Sequence, residues 1–405
     1  MRSSPQPHTT ATPDPIPFHR AQLGIAAVFC LLGFQYATWA SRLPALTARL
    51  DLSEARLGLL LMACGASAAA SFPLVTVLME RLGSRRLLLL SAPVLALLLP
   101  ALALAPNYPA ALVVICCDGI AVGCLNVAMN AQGAALEAAH GRTAMARLHA
   151  AFSGGALLAS LLASGVTTFT SDLPAHFGLA CVLLLLSLAW ARPRLLPDES
   201  HRGGEKTRRS RAVASAAALW MGAAMAFATI TEGAMNDWSA LYLDSVAGAS
   251  EQVAPLGIAV VSVTMVTARL FADGLRSRWG DGRVVRVGSA LAGTGLALAL
   301  LTGGITATLI GFACVGLGAA AVTPCVYVAA ARRGPDALAL VAAMGTTGLL
   351  AGPALIGFIA SAGNLVWGMA AVAASALLVT LCATRITWQR PAPENFRSKV
   401  VPAGE

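Results

Sequence analysis

The stretch from Arg192 to Arg211 reads RPRLLPDESHRGGEKTRRSR and is the longest interruption of an otherwise apolar sequence. It carries seven of the 28 Lys and Arg residues and a pair of glycines, a composition typical of a solvated loop. About 20 apolar residues carry a helix across a bilayer. Six apolar blocks of about that length precede the stretch and six follow it. The sequence therefore predicts an all-α membrane protein with twelve transmembrane helices in two pseudo-symmetric six-helix bundles.

The predicted organisation has five parts. A Pro- and Thr-rich tail is expected to be disordered and to contain no cleavable signal peptide, so that the first helix itself directs insertion. The predicted boundaries are 1–20 for this tail, 21–195 for the amino-terminal bundle, 196–212 for the basic linker, 213–385 for the carboxy-terminal bundle and 386–405 for the final tail.

The composition excludes a water-soluble fold, because 57% of the residues are apolar and only 12% are charged, against about 25% charged in a soluble domain. The net charge of +9 is explained by its distribution. Of the 28 Lys and Arg residues, 23 lie in the tails and alternate loops of one side, three lie on the other side, and two lie within or at the ends of helices. Because positive charge is retained in the cytoplasm, both termini and the linker are predicted to be cytoplasmic, and the basic charge is read as a topology signal without a nucleic-acid partner.

The nine cysteines fall inside predicted helices, without a C-x-x-C pair or a histidine at metal-ligand spacing. We interpret them as small packing residues. The sequence contains no evident nucleophile–base pair, metal site or Walker lysine in a glycine-rich loop. It therefore predicts neither an enzyme nor an ATP-driven pump, and no cofactor.

Polar residues on the first and fourth predicted helices are candidates for solute binding. Gln35 and Trp39 are one turn apart; the tryptophan is either an interfacial anchor or part of a substrate-facing patch. On the fourth helix, Asn126 and Asn130 share a face with two glycines, either to bond a neighbouring helix or to line a water-filled cavity. Asp118 lies about 80° from Asn126, and a buried aspartate can avoid its desolvation cost by binding a proton.

The seventh predicted helix carries a second acid. Glu232 and Asn236 are one turn apart, and Glu232 is expected at a depth comparable with Asp118, in the outer half of the membrane. Asp237 is expected at the interface and solvated. On the tenth helix, Tyr327 is a further polar candidate.

Two charged turns occur in corresponding places of the two halves. One follows the second helix as ERLGSRR, from Glu80 to Arg86, and its echo after the eighth helix is RSRWGDGR, from Arg276 to Arg283. A repeat of this kind predicts two halves related by an axis along the membrane normal. Just before the echo, Arg269 and Asp273 at i, i+4 are expected to form an ion pair that braces the cytoplasmic gate, the alternative being a contact with substrate.

These residues carry a resemblance to a known family. The first turn resembles the loop signature G-x-x-x-D-R-x-G-R-R of the major facilitator superfamily, with Glu80 in the acid position and Thr76 where glycine is usual. The runs NVAMNAQ (126–132), FSGG (152–155) and EGAMNDWS (232–239) resemble the branch of MosC-type and YbjJ-type bacterial inner-membrane proteins. The resemblance implies alternating access, with helices 1, 4, 7 and 10 lining a central cavity. It also implies that Glu80, Arg81 and Arg85 close the cytoplasmic side in the outward-open state.

The function predicted from these observations is secondary transport of a small polar solute, sugar-like or cyclitol-like, coupled to protons. The predicted substrate-binding residues are Gln35, Trp39, Asn126, Asn130, Asn236 and Tyr327. The predicted proton-coupling residues are Asp118 and Glu232, and the predicted cytoplasmic gate comprises Glu80, Arg81, Arg85, Arg269 and Asp273. The protein is expected to act as a monomer in the bilayer. Proton-driven efflux of amphipathic compounds is the alternative, and a non-transporting receptor or assembly factor is a more distant one.

Overall fold

The computed structural model describes residues 16–142, 144–198 and 216–388, and regular structure in these ranges is helical. The first half contains seven α-helices and ends in a 3-10 turn at Arg192–Arg194. Their bounds are α1 Phe18–Ala40, α2 Leu43–Leu50, α3 Glu54–Ala70, α4 Phe72–Leu104, α5 Tyr108–His140, α6 Met145–Val166 and α7 Leu173–Ala191. Helix α1 begins at Phe18, inside the segment predicted as a tail; residues 1–15 of that tail lie outside the described residues.

The second half contains another seven α-helices. Their bounds are α8 Ala216–Ser245, α9 Leu256–Trp279, α10 Asp281–Thr302, α11 Ile305–Ala319, α12 Val322–Ala331, α13 Pro335–Ala362 and α14 Leu365–Arg385. Helices α11 and α12 are separated by a break at Ala320 and Ala321 and together form one apolar span.

The prediction of twelve spans agrees with these helices. Nine spans of the described chain are long and apolar enough to cross a membrane by themselves. Three further helices complete the pattern: α3 continues into the beginning of α4 as the second span, α8 carries three acidic residues, and α9 contains a shorter apolar stretch, Leu256–Ala272. Large apolar side chains are exposed on the outside of the bundle, among them Leu104, Leu186 and Leu301, as expected for a surface that contacts lipid.

The two charged turns have matching backbone geometry. Gly83 (φ 78°, ψ 170°) divides the second span from the third within α4, and Gly280 (φ 77°, ψ 152°) separates α9 from α10. A positive φ is accessible to glycine at little cost, so each glycine lets one helix stop and the next start without a long loop. The agreement of the two turns supports the predicted repeat of the two halves.

The beginning of the linker is packed against the first half, which corrects the expectation of a solvated loop from Arg192 onward. The Gln132 amide binds both backbone groups of Leu196, with Oε1 accepting from N at 2.9 Å and Nε2 donating to O at 3.2 Å. The Asp198 carboxylate accepts from the Arg85 backbone N–H at 2.6 Å and thereby caps the helix that starts after Gly83. Linker residues 199–212 lie outside the described residues.

The two halves meet mainly at the end of the bundle opposite the chain termini, which we call the opposite end. There α3 packs on α13 so closely that a Cβ on Gly58 would lie 2.9 Å from the Pro353 carbonyl oxygen. Also there, Ser164 Oγ donates to the Gln252 carbonyl at 2.6 Å, and Gln252 Nε2 donates to the Thr167 carbonyl at 3.0 Å. The end at which α1 begins and α14 ends is called the terminal end below.

Candidate functional site

Two neighbouring residues of α1 bind one acid from each half of the molecule. Gln35 Nε2 donates to Asp118 Oδ1 of α5 at 2.7 Å, and the Tyr36 hydroxyl donates to Asp237 Oδ1 of α8. The Cys64 thiol of α3 is 3.8 Å from the other Asp118 oxygen. Four helices, three from the first half and one from the second, therefore converge on two carboxyl groups, Asp118 and Asp237, which we call the acid pair.

The acid pair is sealed from solvent. Asp118 is 3% exposed, Asp237 is 4% exposed, and Gln35 is fully buried with its Oε1 atom unpartnered among the described residues. Next to it, the Trp39 ring meets the Tyr36 ring edge-on at 5.2 Å and is itself buried. Trp39 is therefore not an interfacial anchor, because an anchor keeps its indole at the membrane surface.

A third acid, Glu232, lies farther from the opposite end than the acid pair. The two halves also touch at this second place. Glu232 Oε1 of α8 forms an ion pair with Arg269 Nη2 of α9 at 3.2 Å, and both side chains are partly exposed, at 30% and 28%. Arg269 Nη1 also donates to Ser153 Oγ of α6 at 3.2 Å, so the guanidinium group connects the two halves. The exposed His149 imidazole, on the same helix as Ser153, lies within electrostatic range of this ion pair.

The predicted amide face of α5 divides into two parts. A Cβ on Gly119 would lie 2.0 Å from the Cys64 carbonyl oxygen, so this part of the face packs directly on α3. Toward the terminal end, Asn130 Nδ2 donates to Asn126 Oδ1 at 2.9 Å, and Asn126 is exposed. The two asparagines therefore bind each other and leave amide groups accessible.

The remaining predicted site residues lie on the helices expected from the sequence. On α8, Asn236 Nδ2 donates to the Glu232 carbonyl at 3.1 Å, and on α12 Tyr327 is partly buried. At the terminal end, Glu80 and Arg81 are exposed. Arg85 is held within its own half by the linker, through Asp198 and through the Arg192 carbonyl at 3.2 Å.

The structure adds two pairings that the sequence did not predict and corrects the expected position of Asp237. The acid that joins Asp118 at the boundary between the halves is Asp237 and not Glu232. Asp237 is buried and not solvated at the interface, because α2 packs against α8 and the helix continues to Ser245. Arg269 forms an ion pair with Glu232; its expected pair with Asp273 stays a prediction, because the side chain of Asp273 lies outside the described residues. Long-range packing brings Arg269 to Glu232, whereas the sequence shows only the local i, i+4 neighbour.

Sequence reasoning did not identify Tyr36, Cys64 and Ser153 as contacts of the site. Tyr36 carried a usable signal, since it stands beside Gln35 near the end of a helix that otherwise holds few polar groups. Cys64 and Ser153 carried none, because a thiol and a hydroxyl within an apolar helix are common packing residues.

Comparison with known proteins gives the family of this architecture. A profile of the Major Facilitator Superfamily matches residues 23–337 and 248–402. An uncharacterised MFS-type transporter of Yersinia pestis is 32% identical over 378 residues, which cover 90% of this chain and 96% of the relative. The membrane protein MosC of Rhizobium meliloti is 31% identical over 349 residues, covering 84% of each chain, which confirms the resemblance to the MosC-type branch.

Solved structures show the same fold at low sequence identity. A D-xylose-proton symporter has a TM-score of 0.72 at 15% identity and covers 90% of this chain and 97% of its own. The nucleoside transporter NupG has a TM-score of 0.68 at 14% identity and covers 90% and 98%. The Yersinia pestis relative is named a transporter, and the fold is the transporter fold of this superfamily, not that of an enzyme. This chain is a multi-span membrane protein that belongs to the major facilitator superfamily.

Proposed function

We propose that this transporter moves a small polar solute, sugar-like or cyclitol-like, across the bacterial inner membrane and couples the movement to protons. The polar side chains proposed for the solute are amides, hydroxyls and aromatics, which suit a neutral polyhydroxylated compound. Asn126, Asn130, Asn236 and Tyr327 would contact it from the terminal end. Gln35 and Trp39 are buried in this conformation, so we propose that they join the site when the opposite end opens.

The observation that carries the proton coupling is the Glu232–Arg269–Ser153 connection. Glu232 Oε1 lies 3.2 Å from Arg269 Nη2, and the Glu232 side chain is partly exposed to solvent. Protonation of Glu232 would remove the charge that holds Arg269, and Arg269 is also the group that reaches across to Ser153. Binding of a proton and separation of the two halves would therefore affect each other, as linkage requires.

We propose that the terminal end faces the cytoplasm, because that side carries 23 Lys and Arg residues against three on the other. The structure would then be open toward the cytoplasm. Glu80, Arg81 and Arg85 would close this end only in the outward-open state, with Asp273 as a further candidate. Reporter fusions after Arg202 and after Ala247 test the orientation; a periplasmic signal after Arg202 would overturn it.

The proposed function is tested by flux into proteoliposomes that contain the purified protein. Sugars, polyols and amphipathic organic cations are offered in turn, with and without an imposed proton gradient. We expect a polyhydroxylated neutral solute to accumulate only with the gradient. Accumulation that does not respond to the gradient would overturn the proton coupling. Movement of the amphipathic cations alone would replace the proposed solute class by the efflux alternative.

A further inference from the structure

We infer that Asp237, together with Asp118, forms a proton-binding site whose protonation allows the opposite end to close. The sequence predicts proton coupling at Asp118 and Glu232, and the proposed function rests on Glu232, whereas in the structure Asp118 and Asp237 are bound by neighbouring residues of α1. The inference deepens the proposed proton coupling and rests on it for its role in transport.

The first step is the position of the two acids relative to the moving parts. Asp118 belongs to the first half and Asp237 to the second, and they are bound by adjacent residues of α1. The Tyr36–Asp237 hydrogen bond crosses the boundary between the halves. It cannot survive an opening that separates α1 from α8, so the burial of Asp237 depends on the closed state of this end.

The second step is the charge of the buried cluster. Both carboxyl groups lie within electrostatic range of Tyr36 and of Cys64, so they share one pocket. The titratable groups that face this pocket are Tyr36 from α1, Cys64 from α3, Cys116 and Asp118 from α5, and Asp237 from α8. In the described part of the chain, none of the titratable groups that face this pocket is a cation. Glu232 differs in this respect, because Arg269 neutralises it.

The third step is the cost of closing. Asp118 and Asp237 are both buried, and burial without a cation disfavours the charged form of a carboxyl group. Closing the opposite end with both acids ionised is therefore unfavourable, whereas one bound proton leaves a single negative charge to be buried. The proton comes from water at the open opposite end and adds to one carboxylate oxygen; Tyr36 keeps its own proton.

The sign of the pH dependence follows from this difference in bound protons. If the closed state binds a proton that the open state does not hold, acid favours closing and alkali favours opening of this end. The unmodified protein should therefore respond to pH by itself, in the absence of any solute and without a substitution at either acid.

The experiment measures the distance across the opposite end. Bio-orthogonal spin labels at positions 169 and 250, one in each half and both exposed, leave the native cysteines in place. Pulsed electron resonance in lipid nanodiscs then gives the ratio of open to closed molecules between acidic and alkaline pH. In wild type we expect the ratio of open to closed molecules to rise at least about tenfold as the pH is raised. An equilibrium that releases one proton on opening can change by about tenfold for each pH unit.

Variants connect the response to the acid pair. Asp118→Asn combined with Asp237→Asn should keep the end closed at every pH, and each single substitution should weaken the response. The matched control is Asp244→Asn, a partly buried acid on the same helix outside the pocket, which should respond like wild type. A wild-type distance that ignores pH, or a double variant that keeps the full response, would overturn the inference.

Infrared spectroscopy provides a second measurement if the double variant does not fold. Wild type should show a protonated carboxyl band that disappears as the opposite end opens, and Asp237→Asn should reduce this band. An unchanged band would contradict the assignment of Asp237. Neither measurement needs a solute, so a pH-dependent distance with flux that ignores the proton gradient would reject the proposed function and retain this inference.

Discussion

Glu232 and Asp237 lie five residues apart on α8 and have opposite surroundings. Five residues turn a helix by about 140° beyond a full turn, so the two side chains point in different directions. Glu232 faces Arg269 of its own half and is 30% exposed, whereas Asp237 faces Tyr36 of the other half and is 4% exposed. The neighbours, and not the acid itself, therefore decide whether a carboxyl group in a span forms an ion pair or is buried without a cation.

The largest expected effect comes from removing the charge of the ion-paired acid. In Glu232→Gln we expect proton-driven accumulation to fall at least about tenfold, because the amide cannot bind or release the coupled proton. Exchange of solute across the membrane without a gradient should persist. Flux into proteoliposomes measures both quantities. Full accumulation in this variant would remove Glu232 from the mechanism and leave the acid pair as the remaining candidate.

The next effect concerns the cation of the same ion pair. Arg269→Gln leaves Glu232 without its partner in a partly buried place and removes the contact with Ser153. We expect a loss of stability of about 1–2 kcal/mol after allowance for its exposure, seen as a lower midpoint of thermal unfolding. The double variant Glu232→Gln/Arg269→Gln should recover most of this loss, because no unpaired charge remains. Equal destabilisation of the single and double variants would show that the guanidinium acts through packing.

A smaller effect is expected at the terminal end, where exposed charges contrast with the sealed acid pair. Arg81→Ala should slow turnover several-fold, because Arg81 is proposed to hold this end closed only in the outward-open state. The apparent affinity for solute should stay within a few-fold of wild type, since Arg81 is remote from the proposed binding residues. Initial rates over a range of solute concentrations separate the two quantities. Weakened affinity at unchanged turnover would contradict the gate assignment.

The smallest effect is expected at Cys64, which lies 3.8 Å from Asp118 and is the weakest donor to the acid pair. Serine at this position keeps a donor of similar size, so Cys64→Ser should leave the pH-dependent ratio of open to closed molecules within about twofold of wild type. Valine keeps the volume and removes the donor, and should change the ratio more than serine does. The label distance across the opposite end measures both.

The fold was predictable from the sequence because its signals are local. Apolar blocks of span length, glycines at the two charged turns and the basic linker each report on their own segment, and together they predict two six-helix halves. The same reasoning placed Gln35, Asp118, Asn126 and Glu232 on the correct helices. What it could not supply was the depth of Asp237, because α2 covers the end of α8 only after the chain has folded.

The partners of the charged residues were not predictable for the same reason. Arg269 and Glu232 are 37 residues apart, Gln35 and Asp118 are 83 apart, and Tyr36 and Asp237 are 201 apart. Helical spacing reveals only pairs three or four residues apart, such as Arg269 with Asp273, and gives no sign of the contact between Arg269 and Glu232. Pairing across helices depends on which faces meet. A small residue such as Gly119 permits the close approach of another helix, but the sequence does not indicate which helix that is.

The docked start of the linker has a consequence for protein engineering. A tag, a protease site or a break between separately expressed halves placed at Arg192 would interrupt the bonds that Gln132 and Arg85 make with Leu196 and Asp198. The same insertion placed after Asp198 would leave those bonds on the amino-terminal piece. The last α-helix of the amino-terminal piece ends at Ala191, but the useful cutting point lies seven residues later, after Asp198.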